Sequence, residues 1–171
     1  DTANALSTEQ LKLLDTMGWD VCAHGYNHVE LAGAPGSVVE EELDRSRAFL
    51  RERGFTRCGL YLFPGHSYDA NTLDMVEKRF RGWQNYATPG AGRLPVVFET
   101  LDINNTLTLE QIKSAVDNAL LRHEYLVLLF HTISNAPGDL NTSPALFRQI
   151  VAYLGAVSAP VKRLSDLLAD S

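Results

Sequence analysis

Basic residues and long apolar runs are scarce in this sequence of 171 residues. It has 15 lysines and arginines against 21 aspartates and glutamates, a formal net charge of −6, and its basic residues form no continuous run. A nucleic-acid-binding surface is therefore not expected. No stretch is long and apolar enough to cross a bilayer and no secretory signal is recognisable, so no membrane span is expected.

Cysteine is almost absent, since the chain has only Cys22 and Cys58. Two cysteines do not make the framework of a disulfide-rich domain, and they leave the redox compartment open. Both fall in predicted strands, so we interpret them as small buried hydrophobic residues. Cys22 shares a strand face with His24, which also makes it a possible metal ligand.

The composition is that of a globular protein, with 45% hydrophobic and 21% charged residues. A length of 171 residues predicts one domain. The chain begins with aspartate rather than methionine, which indicates processing or a piece of a longer protein.

Short apolar runs alternate with helical patterns, which predicts an α/β fold with a mostly parallel sheet. Capping boxes predict helices that begin after Ser7, Ser37 and Thr108, and Ser143 followed by proline predicts another. A helix is also predicted near 71–80 and a last one at 164–169. Strands are predicted at residues 19–23, 58–63 and 125–130, near 83–87 and 96–100, and from Val161.

The helix after Ser37 has an amphipathic pattern. Val39, Leu43, Ser46 and Leu50 recur at helical spacing and are expected to face the core. The charged residues between them, including Glu41, Glu42, Arg45 and Arg53, are expected to point mostly outward.

Four of the five histidines lie just past predicted strands, where ligands gather in such folds. His24 and His28 have the character of metal ligands. An extended strand would hold them roughly 13 Å apart, but Gly25 permits a sharp turn that would bring the imidazoles together. Two neutral imidazoles suit Zn²⁺, Co²⁺ or Ni²⁺. The same spacing is equally compatible with two polar loop residues that bind no metal.

The other candidate residues are individually ambiguous. His131 follows a strand and is either a general acid or base or a hydrogen-bonded interior residue. His66 either lines the site or is solvated in its turn. Tyr26, Tyr68 and Trp83 form either a wall that stacks against a sugar or ordinary packing. The loop acids are interpreted as caps or solvated groups; they are Asp69, Asp102 and Asp139.

In chain order, these segments resemble the polysaccharide deacetylase family, also called the NodB homology domain or carbohydrate esterase family 4. His24-Gly25-Tyr26-Asn27-His28 is similar to the family's H-[ST]-x-x-H metal motif. Phe63-Pro64-Gly65 is similar to its R-x-P-Y-G segment, and the run that ends at His131 is similar to its L-x-L-x-H segment. Residues 143–147 and 161–168 resemble the family's C-terminal pattern.

The resemblance implies a distorted (β/α)7 barrel and the metal-dependent hydrolysis of N-acetyl or O-acetyl groups on an acetylated amino-sugar polysaccharide. It assigns His24 and His28 as metal ligands, with zinc as the expected ion and cobalt or nickel as alternatives. It assigns His131 as the general acid and the Gly65 N–H as a donor to the oxyanion. Tyr26, Pro64, His66 and Tyr68 become candidate substrate contacts, and a cell-envelope or secreted location is implied.

The sequence departs from the family pattern in three places. The T-F-D-D motif, which supplies a third metal ligand and the catalytic base, is not found before the helix at Ser7. Leu62 stands in place of the motif arginine, and Thr132 in place of the acid after the last histidine.

Two interpretations of these departures stay open. Residues 1–171 are either the C-terminal portion of a deacetylase whose barrel is incomplete at its N-terminus, or an inactive relative that binds glycans or proteins. An incomplete barrel is expected to self-associate through exposed strand edges and apolar surface. An unrelated α/β hydrolase is disfavoured because the sequence has no G-x-S-x-G motif.

Overall fold

The computed structural model describes residues 6–84, 98–136 and 138–169. Of these, residues 6–84 and 162–169 form one compact unit, and residues 98–136 and 138–161 form another. We call them the first and the second unit. The expectation of one deacetylase-like domain over 1–171 stays a prediction.

The first unit contains four helices, two strands and a 3-10 turn within its described residues. They are α1 (Thr8–Thr16), α2 (Gly36–Glu52), β1 (Leu60–Leu62), the 3-10 turn Pro64–His66, α3 (Ala70–Glu77), β2 (Gly82–Gln84) and α6 (Leu164–Ala169). Strands β1 and β2 are parallel, with Tyr61 opposite Trp83. Ala23 adds a parallel bridge to Tyr61 on the other side of β1. Segment 19–23, β1 and β2 therefore run in the same direction, and their C-terminal ends lie at the same edge of this small sheet.

The core of the first unit lies between this small sheet and the helices α2 and α3. Its buried members are Ala23, Leu31, Val39, Leu43, Tyr61, Phe63, Val76 and Trp83. The first turn of α6 is tied back to the same unit, because the Ser165 N–H and hydroxyl both donate to the Asp20 carboxylate, at 2.9 and 2.8 Å.

The second unit is built on a βαβ motif. It contains β3 (Phe98–Ile103), α4 (Leu109–Arg122), β4 (Tyr125–Phe130), β5 (Thr132–Ile133), β6 (Asn141–Thr142) and α5 (Pro144–Ala156). Strands β3 and β4 are parallel along their full length, from Phe98 opposite Tyr125 to Ile103 opposite Phe130. Strands β5 and β6 form a second parallel pair. Ile103, Ile112 and Ile150 form the buried core.

These elements confirm the α/β class. The strands within the described ranges pair two by two and do not close into a barrel. The (β/α)7 type therefore stays a prediction.

Most of the predicted helix starts are confirmed, and one is wrong. Ser7 and Thr108 form complete capping boxes with Gln10 and Gln111, and Ser143 caps α5. The capping box predicted at Ser37 does not form. The Pro35 carbonyl already accepts the N–H groups of Val38 and Val39, so α2 begins at Gly36 and Ser37 lies inside it.

The strand predictions need more correction. The run at 19–23 contributes only the single bridge of Ala23, and no strand forms at Val161 among residues 159–163. Strand β4 has the predicted bounds, with Tyr125 exposed and the other five residues half-buried. The predictions near 83–87 and 96–100 correspond to β2 and β3 where described, and residues 85–87 and 96–97 lie outside the described residues.

The interpretation of both cysteines as free hydrophobic residues is wrong, because Cys22 and Cys58 form a disulfide with their Cα atoms 5.2 Å apart. The bridge precedes Ala23 on one side and β1 on the other. It therefore fixes the two segments that the Ala23–Tyr61 bridge pairs.

Helix α1 buries no side chain, and Leu13, Met17 and Trp19 are each more than half exposed. The expected self-association stays a prediction. No helix in the described ranges combines the length and the apolar character that a membrane span requires.

We predict that replacing both cysteines by serine lowers the free energy of unfolding. The bridge closes a loop with a sequence separation of 36. In the chain-entropy model, its removal from a loop of that size costs about 3–4 kcal/mol. Urea denaturation of the oxidised wild type and of the Cys22→Ser/Cys58→Ser variant measures the difference. A reductant should destabilise the wild type and leave the variant unchanged. Two titratable thiols in unreduced, folded protein would contradict the prediction.

Candidate functional site

The loop from His24 to His28 leaves the end of the Ala23 segment and turns sharply. Gly25 has φ +75°, a left-handed conformation that a side chain would strain. The turn brings the two imidazoles together, with ring centroids 4.9 Å apart and planes at 77°. The sequence-derived expectation that Gly25 would let the rings approach each other therefore matches the geometry.

A backbone carbonyl orients the first of these rings. The His24 Nδ1 atom lies 2.9 Å from the Leu62 carbonyl oxygen, at the end of β1. A carbonyl only accepts hydrogen bonds, so Nδ1 carries the proton in the neutral ring and the lone pair is on Nε2. Histidines that bind metals through one nitrogen commonly donate the other N–H to a carbonyl or carboxylate in this way.

The 3-10 turn Pro64–His66 packs against the histidine loop. A β-carbon placed on Gly25 would lie 3.2 Å from Pro64 Cγ. Gly65 has φ +57°, and a β-carbon placed there would lie 2.8 Å from Glu30 Oε1. Only glycine fits at either position without a shift of its neighbours, so the two turns are held in close contact.

The interior of the loop is held by Glu42, which the sequence analysis placed outward and which is in fact only 2% exposed. Its Oε2 accepts the backbone N–H groups of Tyr26 and Asn27, both at 2.8 Å. Its Oε1 accepts the Asn27 side-chain amide at 2.7 Å. The outward expectation is wrong because these loop donors replace the water that a carboxylate would otherwise need.

The candidate substrate contacts differ in their surroundings. Tyr26 is 42% exposed, and the Arg45 guanidinium lies 3.9 Å from its ring centroid. His66 is half-buried in the 3-10 turn. The Tyr68 ring packs against Phe63 and Trp83 at the edge of the core, with centroids 5.2 and 5.5 Å away.

His131 belongs to the second unit, where it directly follows β4 and is exposed. Its Nε2 lies 3.6 Å from Oδ1 of Asp102. Asp102 was expected in a loop, but it lies in β3, where the register sets it opposite Leu129. An imidazolium at His131 would therefore have a carboxylate partner.

The other two loop acids have different surroundings. Asp69 is a cap, as interpreted, and it accepts the N–H groups of Thr72 and Gly33. These backbone hydrogen bonds lower the pKa of Asp69, that from Thr72 most. Asp139 is exposed in a turn.

The structure thus brings together His24, His28, Pro64 and Gly65, all in the first unit. The approach of His131 to the histidine pair stays a prediction.

The donor set fits part of a metal site. Two imidazoles, one with its tautomer fixed by a carbonyl, are appropriate ligands for Zn²⁺. In the part of the chain that the structure describes, the only three potential ligands within 4.8 Å of one another are Asp20, Cys22 and Cys58. Both of those sulfurs are in the disulfide, so this is not a ligand set and Cys22 is not a ligand.

Sequence reasoning missed two acids of this site, Glu42 and Glu30. A signal for Glu42 was present, because it lies three residues after Val39 and so on the buried side of α2. No comparable signal marks Glu30, whose position beside Gly65 depends on the packing of two turns.

Residues 2–79 match the model of the polysaccharide deacetylase family. The match contains the histidine loop, Glu42, the disulfide and the Pro64–His66 turn, while the second unit lies outside it. No curated protein and no solved structure matches the chain. The match therefore supports a polysaccharide deacetylase (NodB homology) domain over residues 2–79, which are part of the chain.

Proposed function

We propose that this chain contributes a divalent-metal site to an enzyme that removes acetyl groups from an acetylated amino-sugar polysaccharide. The observation that carries the proposal is the pair of adjacent imidazoles, His24 and His28, inside the segment that matches the family. The fixed tautomer of His24 supports its assignment as a ligand through Nε2.

The expected ion is zinc, with cobalt or nickel as alternatives, and it would supply Lewis-acid activation of the acetyl carbonyl and of the attacking water. His24 and His28 would hold it. In the overall reaction water adds to the carbonyl carbon, the carbon–nitrogen bond breaks, and the products are acetate and a protonated amine.

The chain's other residues would act on the groups that gain or lose charge. The Gly65 N–H would donate to the oxyanion, and the preceding residue, Pro64, lies against Gly25 of the histidine loop. His131 would protonate the leaving nitrogen, and the Asp102 carboxylate, 3.6 Å from its Nε2, would orient its ring.

Substrate contacts are proposed for residues around the same loop. Tyr26 lies between the two histidines in the chain and is 42% exposed; Arg45 covers one face of its ring, so a sugar would stack on the other face. Pro64 and His66 border the loop from the second turn. Tyr68 would contribute only from the edge, because its ring is already packed against Phe63 and Trp83.

We also propose a cell-envelope or secreted location. Disulfides persist in oxidising compartments and are rare in reducing ones. The Cys22–Cys58 bridge at the base of the site supports that location.

The second candidate function is an inactive deacetylase-like module that binds glycans or proteins. The observation in its favour is that no third ligand joins His24 and His28 within 4.8 Å among the described residues. The two functions share the sugar contacts, and they differ in whether acetate is released.

We predict that His24→Ala and His28→Ala each weaken zinc binding by at least about tenfold, since loss of a second-shell partner alone typically costs that much. Zinc titration of the 171-residue chain, followed through its imidazole NMR signals, measures the affinity. His123→Asn is the matched control, because His123 is an exposed residue that ends α4 in a left-handed conformation asparagine also adopts. Equal affinity in all three variants would refute the metal assignment.

We predict that His131→Gln lowers kcat for acetate release from acetylated hexosamine oligomers by about 10²–10⁴-fold, the usual contribution of a general acid. Zinc affinity should stay that of the wild type, because His131 is proposed to act on the leaving group and not as a ligand. The assay uses the full-length protein that contains residues 1–171. A variant with unchanged kcat would remove His131 from the mechanism, and absence of acetate release by the wild type would favour the binding module.

A further inference from the structure

Glu42 is a buried carboxylate whose hydrogen-bond partners come from the loop between the two histidines. It lies on α2 and is 2% exposed. Three donors of the loop point at it, the N–H groups of Tyr26 and Asn27 and the side-chain amide of Asn27, at 2.7–2.8 Å. None of these donors carries a charge, so the loop itself solvates the carboxylate.

This arrangement makes the loop conformation and the buried charge depend on each other. A buried carboxylate without partners is strongly destabilising, and the same holds, less severely, for backbone N–H groups removed from water. The approach is close, because a β-carbon on Gly25 would lie 3.1 Å from Glu42 Oε2. The loop therefore cannot move away from α2 without leaving this charge unpaired.

The carboxylate is ionised at neutral pH. Burial alone would raise the pKa of Glu42, but the hydrogen bonds from Asn27 and Tyr26 outweigh it, and the pKa lies below its ordinary value. The pKa of the neighbouring Tyr61 is raised above its ordinary range by burial first and by the negative charge of Glu42 second. Hydrogen bonds to an ionised acceptor are about twice as strong as neutral ones.

We infer that Glu42 is a positioning residue for the metal ligands. It clamps the backbone at Tyr26 and Asn27, which lie between His24 and His28, and so holds the two imidazoles at their separation of 4.9 Å. Its hydrogen bonds go to the backbone and side chain between the two imidazoles, and its effect on them is transmitted through the loop. The inference rests on the proposed metal site, which it deepens by naming what preorganises the ligands.

Two variants separate this role from a general contribution to folding. Glu42→Met keeps the length of the side chain and removes every acceptor at a position beside the core residues Val39 and Leu43. It removes the carboxylate together with its charge, so no unpaired charge stays buried, and the three loop donors regain water when the loop opens locally. Glu42→Gln keeps one acceptor oxygen and loses the charge, so it should be a partial rescue. Glu52→Gln is the control, since it removes one exposed negative charge near the end of the same helix.

The experiment measures zinc affinity by imidazole NMR titration, backbone amide exchange without metal, and urea stability, all on the 171-residue chain. We expect Glu42→Met to weaken zinc binding by about 10–100-fold and to speed exchange at Tyr26 and Asn27, with little loss of stability. Glu42→Gln should lie between Glu42→Met and the wild type, and Glu52→Gln should match the wild type.

Wild-type zinc affinity in Glu42→Met would overturn the inference, and so would slow exchange at both amides in that variant. A loss of affinity that only follows a loss of global stability would also overturn it. If the wild type binds no zinc, the proposed metal site fails, while amide exchange still decides whether Glu42 holds the loop.

Discussion

The hydrogen bonds between the Glu42 carboxylate and the histidine loop are the interaction on which the candidate site depends. They hold the five-residue segment from His24 to His28 in one sharp turn. Gly25 and His28 both have left-handed backbone conformations in this turn. Without an internal acceptor, the N–H groups of such a turn would need water, and the segment would have to move outward. The imidazoles lie close together because the backbone N–H groups between them donate to the Glu42 carboxylate.

Three further restraints act on the same loop. The disulfide fixes Cys22, two residues before His24, and the Leu62 carbonyl fixes the His24 ring. Pro64 limits the space around Gly25. Each restraint comes from a different part of the chain. They act on the residue pair before the loop, on Gly25 within it and on the His24 ring. Rigid support of this kind lowers the entropy that ligands lose when an ion binds.

Sequence patterns predicted the features that local chemistry decides. The capping boxes at Ser7 and Thr108 formed because a hydroxyl and an amide three residues apart satisfy each other wherever the helix lies. The YLVLLF run became β4 with the expected bounds, and Gly25 allowed the turn that brings His24 and His28 together. In each case the residues involved are neighbours in the chain.

Two of the failures required knowledge of partners distant in sequence. The cysteines are 36 residues apart, and Glu42 is 15 residues from the amide it binds. Charge alone suggested an outward Glu42, although its spacing from Val39 indicated the buried face. The Trp19–Ala23 run lost most of its predicted pairing because β1 is only three residues long and offers Ala23 one bridge.

A deacetylase and a binding module would differ in the group that completes the histidine pair. Glu42 is ionised and close to the histidine loop, yet its oxygens are engaged by three donors and it shares no ligand cluster with His24 and His28 within the described ranges. Its negative charge therefore organises the loop and does not serve as an anionic ligand. Two neutral imidazoles leave the full charge of a divalent ion uncompensated, which favours capture of an anionic third ligand. A carboxylate that reaches the open side of the histidine pair would complete a catalytic centre, whereas a sugar that reaches it first would simply be bound.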